Sequence, residues 1–483
     1  MSVARIIRIL GWLLIVLAVT MTVPLLVSLI YRDGDTGVLL AAQASTAALG
    51  MLLALPRKFR KAGGELTVRD GFVVVSFGWI LMSLCGALPF WYSGQFPGFL
   101  DSLFESVSGF TTTGSTILAH PSALTHGVAY WRMFMQWIGG LGIVLFGLAI
   151  LPMLGVGGMH LYKAETPGPS AEKLTPRLKD TAKILWLIYL VLTAAETLLL
   201  WILGMDLYHA SGHAFTTLAS GGFSPHDLSL AYYDSAAIHL VVAFFMFCAG
   251  TNFTLFYRMY RGRFREVWKD GELKLYLAIT LGAAAVFTLM QILDRGVPFF
   301  TAAVRAIFQT TSLLTTTGFS TDDFNLWHPL SRMLILGLLV VGGMAGSTAG
   351  GLKVVRLSVL ISLARQTLRK LLHPRAVVLV RVGERAIPEN LVLGIAGFLV
   401  LFLGMATISM ITLAACGLNI ESAISATFAC LSNVGPGLDQ VGPMSNFAAI
   451  HPVGKSMLIL MMLFGRLEIL TVFVIFSVGF WRK

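Results

Sequence analysis

Apolar residues run along this chain in long blocks, not at the spacing of a half-buried strand or of a surface helix. The stretch AKILWLIYLVLTAAETLLLWILG at 182–204 and the uncharged run at 391–416 are each long enough, as helices, to cross a hydrocarbon layer about 30 Å thick. The pattern predicts ten spans, at roughly 6–31, 37–56, 70–92, 127–157, 180–204, 235–260, 272–294, 328–370, 388–416 and 451–481. The first lacks a small-residue cleavage site and is followed at once by further spans, so it reads as a retained span and not a removed signal peptide.

Between these blocks lie four shorter ones of a different character. Each is a brief apolar stretch that ends in hydroxyl residues and a glycine: FESVSGFTTTG (104–114), GHAFTTLASGG (212–222), FQTTSLLTTTG (308–318) and SATFACLSNVG (425–435). Gly114, Gly222, Gly318 and Gly435 are spaced by 108, 96 and 117 residues. Regular spacing of this kind marks an internal repeat. It divides the chain into two extra N-terminal spans (1–66) and four units at 67–160, 161–268, 269–372 and 373–483. The expected fold is an all-α polytopic membrane protein. Its four channel-like repeats of span, short helix, glycine-ended loop and span surround one pseudo-fourfold pore.

A helix of about ten residues rises only about 15 Å, so each block dips in and returns. Irregular backbone at membrane depth survives only where protein buries it or where it lines a watery cavity. Four such loops around an axis aim a ring of carbonyls at the centre, an arrangement that replaces the water shell of a dehydrated cation. Glycine reaches the dihedrals this needs. The helix C-termini add partial negative charge. The competing reading of any single block is a plain re-entrant turn or a close helix contact.

Charge settles the topology. The chain carries 12% charged residues, a mean hydropathy of +0.80 and a net charge of +11. Its lysines and arginines cluster at the N-terminus, at 57–69, 163–183, 258–274 and 353–385, and at Arg482 and Lys483. With the ten spans above, all of these fall on one side. Basic excess marks cytoplasmic loops, which places both termini in the cytoplasm. The positive charge therefore reflects topology and lipid contact, and no nucleic acid is called for. Cys85, Cys248, Cys416 and Cys430 lack metal or disulfide spacing and read as packed side chains. The histidines lie mostly near loops and read as interfacial. No phosphate-binding loop and no catalytic cluster occurs, so the chain does not read as an enzyme and calls for no organic cofactor.

The TTTG-type loops, with ASGGFS at 219–224 and SNVGPGL at 432–438, resemble the Trk/Ktr/HKT superfamily of cation transporters over essentially the whole chain. The two additional spans resemble the Trk-type membrane subunit. The resemblance implies potassium uptake across a bacterial or archaeal cytoplasmic membrane. Potassium would be held by the carbonyls of Thr112, Thr113, Gly114, Ser220, Gly221, Gly222, Thr316, Thr317, Gly318, Asn433, Val434 and Gly435. Glycine at all four aligned positions implies potassium preference, while the divergent second and fourth loops imply an asymmetric filter. It also implies a homodimer and a separate TrkA-like cytosolic ring that binds nucleotides. The alternative from another class is a proton- or sodium-coupled cation symporter built from broken helices, although those folds favour inverted repeats.

Two intramembrane features stay open on the residues alone. In GGMAGSTAGG (342–351), Gly342, Gly346 and Gly350 form either a small-residue packing stripe or, with Gly343 and Gly351, a broken helix. The resemblance favours a gating loop. Lys353 after it is either part of a barrier or a cytoplasmic anchor. In FGRLEIL (464–470), Arg466 and Glu468 project about 200° apart and each needs its own partner. The resemblance makes Arg466 an electrostatic barrier in the pore; the bland reading is a structural ion pair.

Overall fold

The computed structural model describes residues 3–55, 67–149, 174–375, 378–383 and 385–481. The basic residues Arg57, Lys58, Arg60, Lys61, Lys163, Lys173, Arg482 and Lys483, and the end of the fourth expected span, lie outside these ranges. Helix dominates. Among the described residues, strand is confined to a two-residue antiparallel ladder between Arg381–Val382 and Arg385–Ala386.

An N-terminal hairpin, Val3–Thr20 and Thr22–Tyr31 against Thr36–Ala54, precedes the repeats. It packs closely where Gly11 meets Gly50 and Ala54: a methyl on Gly50 would lie 2.9 Å from Ile15 and 3.0 Å from the Gly11 carbonyl. Its turn docks through buried Asp35, which accepts from the Val128 N–H at 3.2 Å.

Four units follow, each made of a leading helix, a short helix and a closing helix. The leading helices are Val68–Gly86, Leu174–Ile202, Gly271–Arg295 and Glu389–Ala415. The short helices are Phe99–Phe110, Leu207–Leu218, Phe299–Leu314 and Ile420–Leu431. At 12 to 16 residues they rise about 18–24 Å, too little to span. Two of them start from side-chain caps, with Asp206 accepting from the His209 N–H at 3.0 Å and Asn419 from the Ser422 N–H at 2.8 Å. The run from Gln309 to Leu314 is buried on every side, which places the C-terminal end of this helix in the interior.

The closing helices depart from the continuous spans that hydropathy predicts. His126–Ala149 is unbroken as far as it is described. The expected span 235–260 is instead Ala236–Ala249 followed by Phe253–Tyr260, turned by 95°. The expected span 451–481 turns by 107° between Pro452–Arg466 and Ile469–Phe476. In the third unit Pro329–Val341 and Val354–Leu372 are separated by a non-helical segment, so the packing-stripe reading of its glycines is overturned. Gly342, Gly346 and Gly351 take φ values of +76°, +73° and +74°, outside any right-handed helix. Hydropathy misses the breaks after Ala249 and Arg466 because each helix pair stays apolar enough overall to read as one span, whereas the glycines of the third unit leave a broken helix open on the residues alone.

The largest hydrophobic cluster joins the first and fourth units through Phe104, Phe110, Trp131, Met135, Leu431 and Met462. The units thus close on one another around a common axis. Cys85, Cys248 and Cys430 are buried and Cys416 half-buried, all as free thiols.

Candidate functional site

Each short helix ends in the same backbone motif despite its different sequence. Thr112, Ser220, Thr316 and Asn433 adopt left-handed φ values of 52°, 55°, 57° and 56°. The next N–H in each loop turns back to the helix: Thr113 to the Ser108 carbonyl (2.8 Å), Gly221 to Thr216 (2.8 Å), Thr317 to Ser312 (2.9 Å) and Val434 to Ala429 (2.8 Å). This is the Schellman pattern, normally built on glycine. Placing a side chain there costs on the order of 1 kcal/mol or more at each position. Four such residues at equivalent places mark a geometry that the surrounding structure enforces.

The glycine two residues later is also left-handed, at φ 83°, 73°, 84° and 108° for Gly114, Gly222, Gly318 and Gly435. A side chain on each would run into a carbonyl of the next unit. Gly114 would meet the Gly221 oxygen, Gly222 that of Thr317, and Gly318 that of Val434. Gly435 closes the circuit, with a methyl there only 2.9 Å from the Thr113 oxygen. The four loops therefore form one closed ring in chain order, with four carbonyls brought to the same level. On one side it opens into a cavity of about 90 Å3 lined by all four glycines together with Arg132 and Asp227.

On the other side lies the non-helical segment of the third unit. Its Gly350 N–H donates to Thr316 Oγ1 at 2.6 Å, and Ser220 Oγ meets Thr348 Oγ1 at 2.7 Å. The segment also fills the break in the second closing helix, where Met344 N–H bonds the Gly250 carbonyl and Phe253 N–H the Gly346 carbonyl (2.9 and 3.0 Å). Buried Glu272 ties its two ends, accepting from the Ala345 N–H at 2.8 Å and the Val355 N–H at 3.1 Å. Lys353 takes φ +75° and turns its amine back onto the Ala349 carbonyl.

Arg466 and Glu468 do find separate partners. Glu468 pairs with Arg356 at 2.6 Å, and the Arg356 guanidinium also stacks 4.0 Å from the Phe398 ring centre. Arg466 is buried and donates to two carbonyls, Thr348 at 2.8 Å and Gly139 at 3.2 Å, while its Nε is left without a partner. Among the described residues it has no carboxylate within ion-pair distance, which leaves its charge uncompensated by any direct neighbour.

Sequence reasoning missed the struts behind the ring. Nine residues before each glycine stand Glu105, His213, Gln309 and Ala426. Glu105, fully buried, accepts from Thr116 Oγ1 (2.8 Å) and the Ile117 N–H (3.0 Å), and pairs with buried Arg132 at 2.6 Å. Arg132 continues to the Ser224 carbonyl of the second loop at 2.9 Å and lies 3.6 Å from the Phe223 ring centre. Gln309 reaches the Phe319 carbonyl at 3.4 Å. His213, expected at an interface, is fully buried instead. Its Nδ1 donates to the His209 carbonyl at 2.8 Å, so Nε2 accepts from Ser224 Oγ at 3.1 Å. Their fixed offset from the glycine was a signal of equivalent position, not of the partners they bond.

The fold and the ring define a multi-pass helical membrane protein whose four tandem units close around one axis. Residues 40–481 match the TrkH family, described as a cation transport protein, and the chain belongs to that family. It is 42% identical to the Trk system potassium uptake protein TrkH of Salmonella typhimurium, with 99% of each chain covered. Against the TrkH protein of Escherichia coli K12 the identity is 41%, again over 99% of each. The crystal structure of the potassium transporter TrkH from Vibrio parahaemolyticus superposes with a TM-score of 0.91 at 37% identity, covering 100% of both chains.

Proposed function

We propose that this chain takes up potassium through a pore that runs along the shared axis of its four units. The observation that carries the reading is the closed ring in which each glycine abuts the preceding-residue carbonyl of the next unit. Oxygens held at one level by strained backbone can stand in for a cation's water without reorganising when the ion arrives. The potassium-uptake names of the relatives support the same assignment. The coordinating backbone would be that of Thr112–Gly114, Ser220–Gly222, Thr316–Gly318 and Asn433–Gly435.

In this reading the segment from Gly342 to Lys353 is the gate. It lies directly beneath the ring and must withdraw for ions to pass, and its five glycines let it refold cheaply. Arg466, a buried cation at the same level, raises the barrier to other cations. The basic loops face the cytoplasm, both termini with them, and the glycine loops face outward. The chain would act as a homodimer with a TrkA-like nucleotide-binding ring docked on the basic face.

The test is potassium and sodium flux into liposomes carrying the purified protein, wild type against Gly318→Ser. Flux that favours potassium in the wild type, with the preference lost in the variant, supports the carbonyl ring. Identical behaviour of the two proteins, or uptake that always requires a proton gradient, replaces it with a coupled symporter.

A further inference from the structure

Gly221 is the odd member of the ring. At the equivalent position the other units carry Thr113, Thr317 and Val434, each fully buried. In the first and third units this side chain is tied to the threonine two residues earlier, Thr113 to Thr111 at 2.7 Å and Thr317 to Thr315 at 2.8 Å. The second unit has Ala219 and Gly221, and so lacks both hydroxyls. An empty space there would leave the loop without lateral support.

The space is filled from another unit. Gln136, on the first closing helix and fully buried, lies where a side chain of residue 221 would go. A methyl on Gly221 would sit 2.8 Å from Gln136 Nε2 and nearer still to the rest of the amide. Nε2 donates to the Gly221 carbonyl at 2.7 Å, and Oε1 accepts from the Phe223 N–H at 3.1 Å. Both ends of the amide match the chemistry they face, and turning it over would lose both bonds. One side chain thus clamps the backbone on both sides of Gly222. It also holds the carbonyl that abuts Gly114 in the ring.

We propose that Gln136 is a specificity-determining positioning residue, which supplies from the first unit the side chain that the second lacks and fixes the orientation of the Gly221 carbonyl. The proposal rests on the carbonyl-ring reading above. Neither a lone hydrogen bond nor a packing contact explains an amide that replaces a side chain and bonds on both sides of a ring glycine.

The experiment measures potassium and sodium flux in liposomes for Gln136→Met, Gly221→Thr and the double variant Gln136→Ala/Gly221→Thr, with Gly318→Ser alongside. Gln136→Met keeps the length and removes the donor, so the potassium preference should fall by about tenfold while total cation flux persists. Gly221→Thr alone collides with Gln136 and should lose flux. The double variant rebuilds the Thr–Gly pattern of the other units and should recover flux and preference beyond what the two single changes predict. If Gln136→Met keeps wild-type preference while Gly318→Ser loses it, the ring stands and this proposal falls. A double variant no better than Gly221→Thr overturns it equally. If Gly318→Ser itself keeps the preference, the ring reading fails and takes this inference with it.

Discussion

The Gly350 N–H donates to Thr316 Oγ1 at 2.6 Å, so the segment beneath the ring is tied to one of the strained residues that shape the ring. If the segment is the gate proposed above, the bond exists only in its closed form. Thr316→Val keeps the β-branched shape and leaves a buried N–H without an acceptor, a loss of about 1–3 kcal/mol charged to the closed form alone. Unstimulated potassium flux into liposomes should rise about tenfold. Unchanged flux would mean that other contacts hold the segment shut.

Arg466 faces two carbonyls and, among the described residues, no carboxylate, which in the proposed pore makes it a barrier to other cations. Arg466→Met should raise potassium flux severalfold, and Arg466→Lys should fall between the two. Single-channel conductance in planar bilayers reads this directly. Lower conductance in Arg466→Met would instead make the arginine a structural brace for Thr348 and Gly139.

The Glu105–Arg132 pair joins the first and second loops from behind. Both partners are buried, so removing one strands a charge, at a cost of about 3–5 kcal/mol. Glu105→Gln is therefore expected to lower the melting temperature in detergent, followed by tryptophan fluorescence. Glu105→Leu/Arg132→Met should restore part of that loss, because no buried charge remains.

A pH effect belongs to the loop that follows Gly222. His226 stacks 3.7 Å from the Tyr232 ring centre and 4.6 Å from that of His209, and its Nε2 meets Tyr233 Oη at 3.0 Å. Burial, then the nearby His209, push it down from 6.5 to about 4, against the opposing pull of Asp206 and Asp227. The unfolded chain thus binds a proton here before the folded one does. Its contribution to stability is fully present above about pH 6.5 and is lost as the pH falls from there to about 4. Melting temperatures measured from pH 7.5 to 4 should decline over that window, less steeply in His226→Gln.

The unbroken spans and the four glycines are legible in the sequence because each follows a local rule. Apolar length predicts a span, and a left-handed turn at membrane depth predicts glycine. The neighbouring Thr112, Ser220, Thr316 and Asn433 are not legible in this way, since their left-handed backbone runs against what their side chains prefer. Nor are the helix breaks after Ala249 and Arg466, where apolar residues continue on both sides. Gln136, Glu105 and Arg132 escape for a further reason. Their partners lie 11 to 92 residues away, and nothing in a one-dimensional pattern records who closes a buried hydrogen bond.

The ring closes in chain order, with every quadrant meeting a different neighbour. In a pore assembled from four identical subunits, one codon change alters four positions together, and an intermediate design is never built. Here each quadrant has its own codon. Selection can alter a quarter of the aperture and leave the remainder as it was. A glutamine borrowed from the adjacent quarter in place of a threonine is the kind of unequal solution that such a gene can reach in single steps.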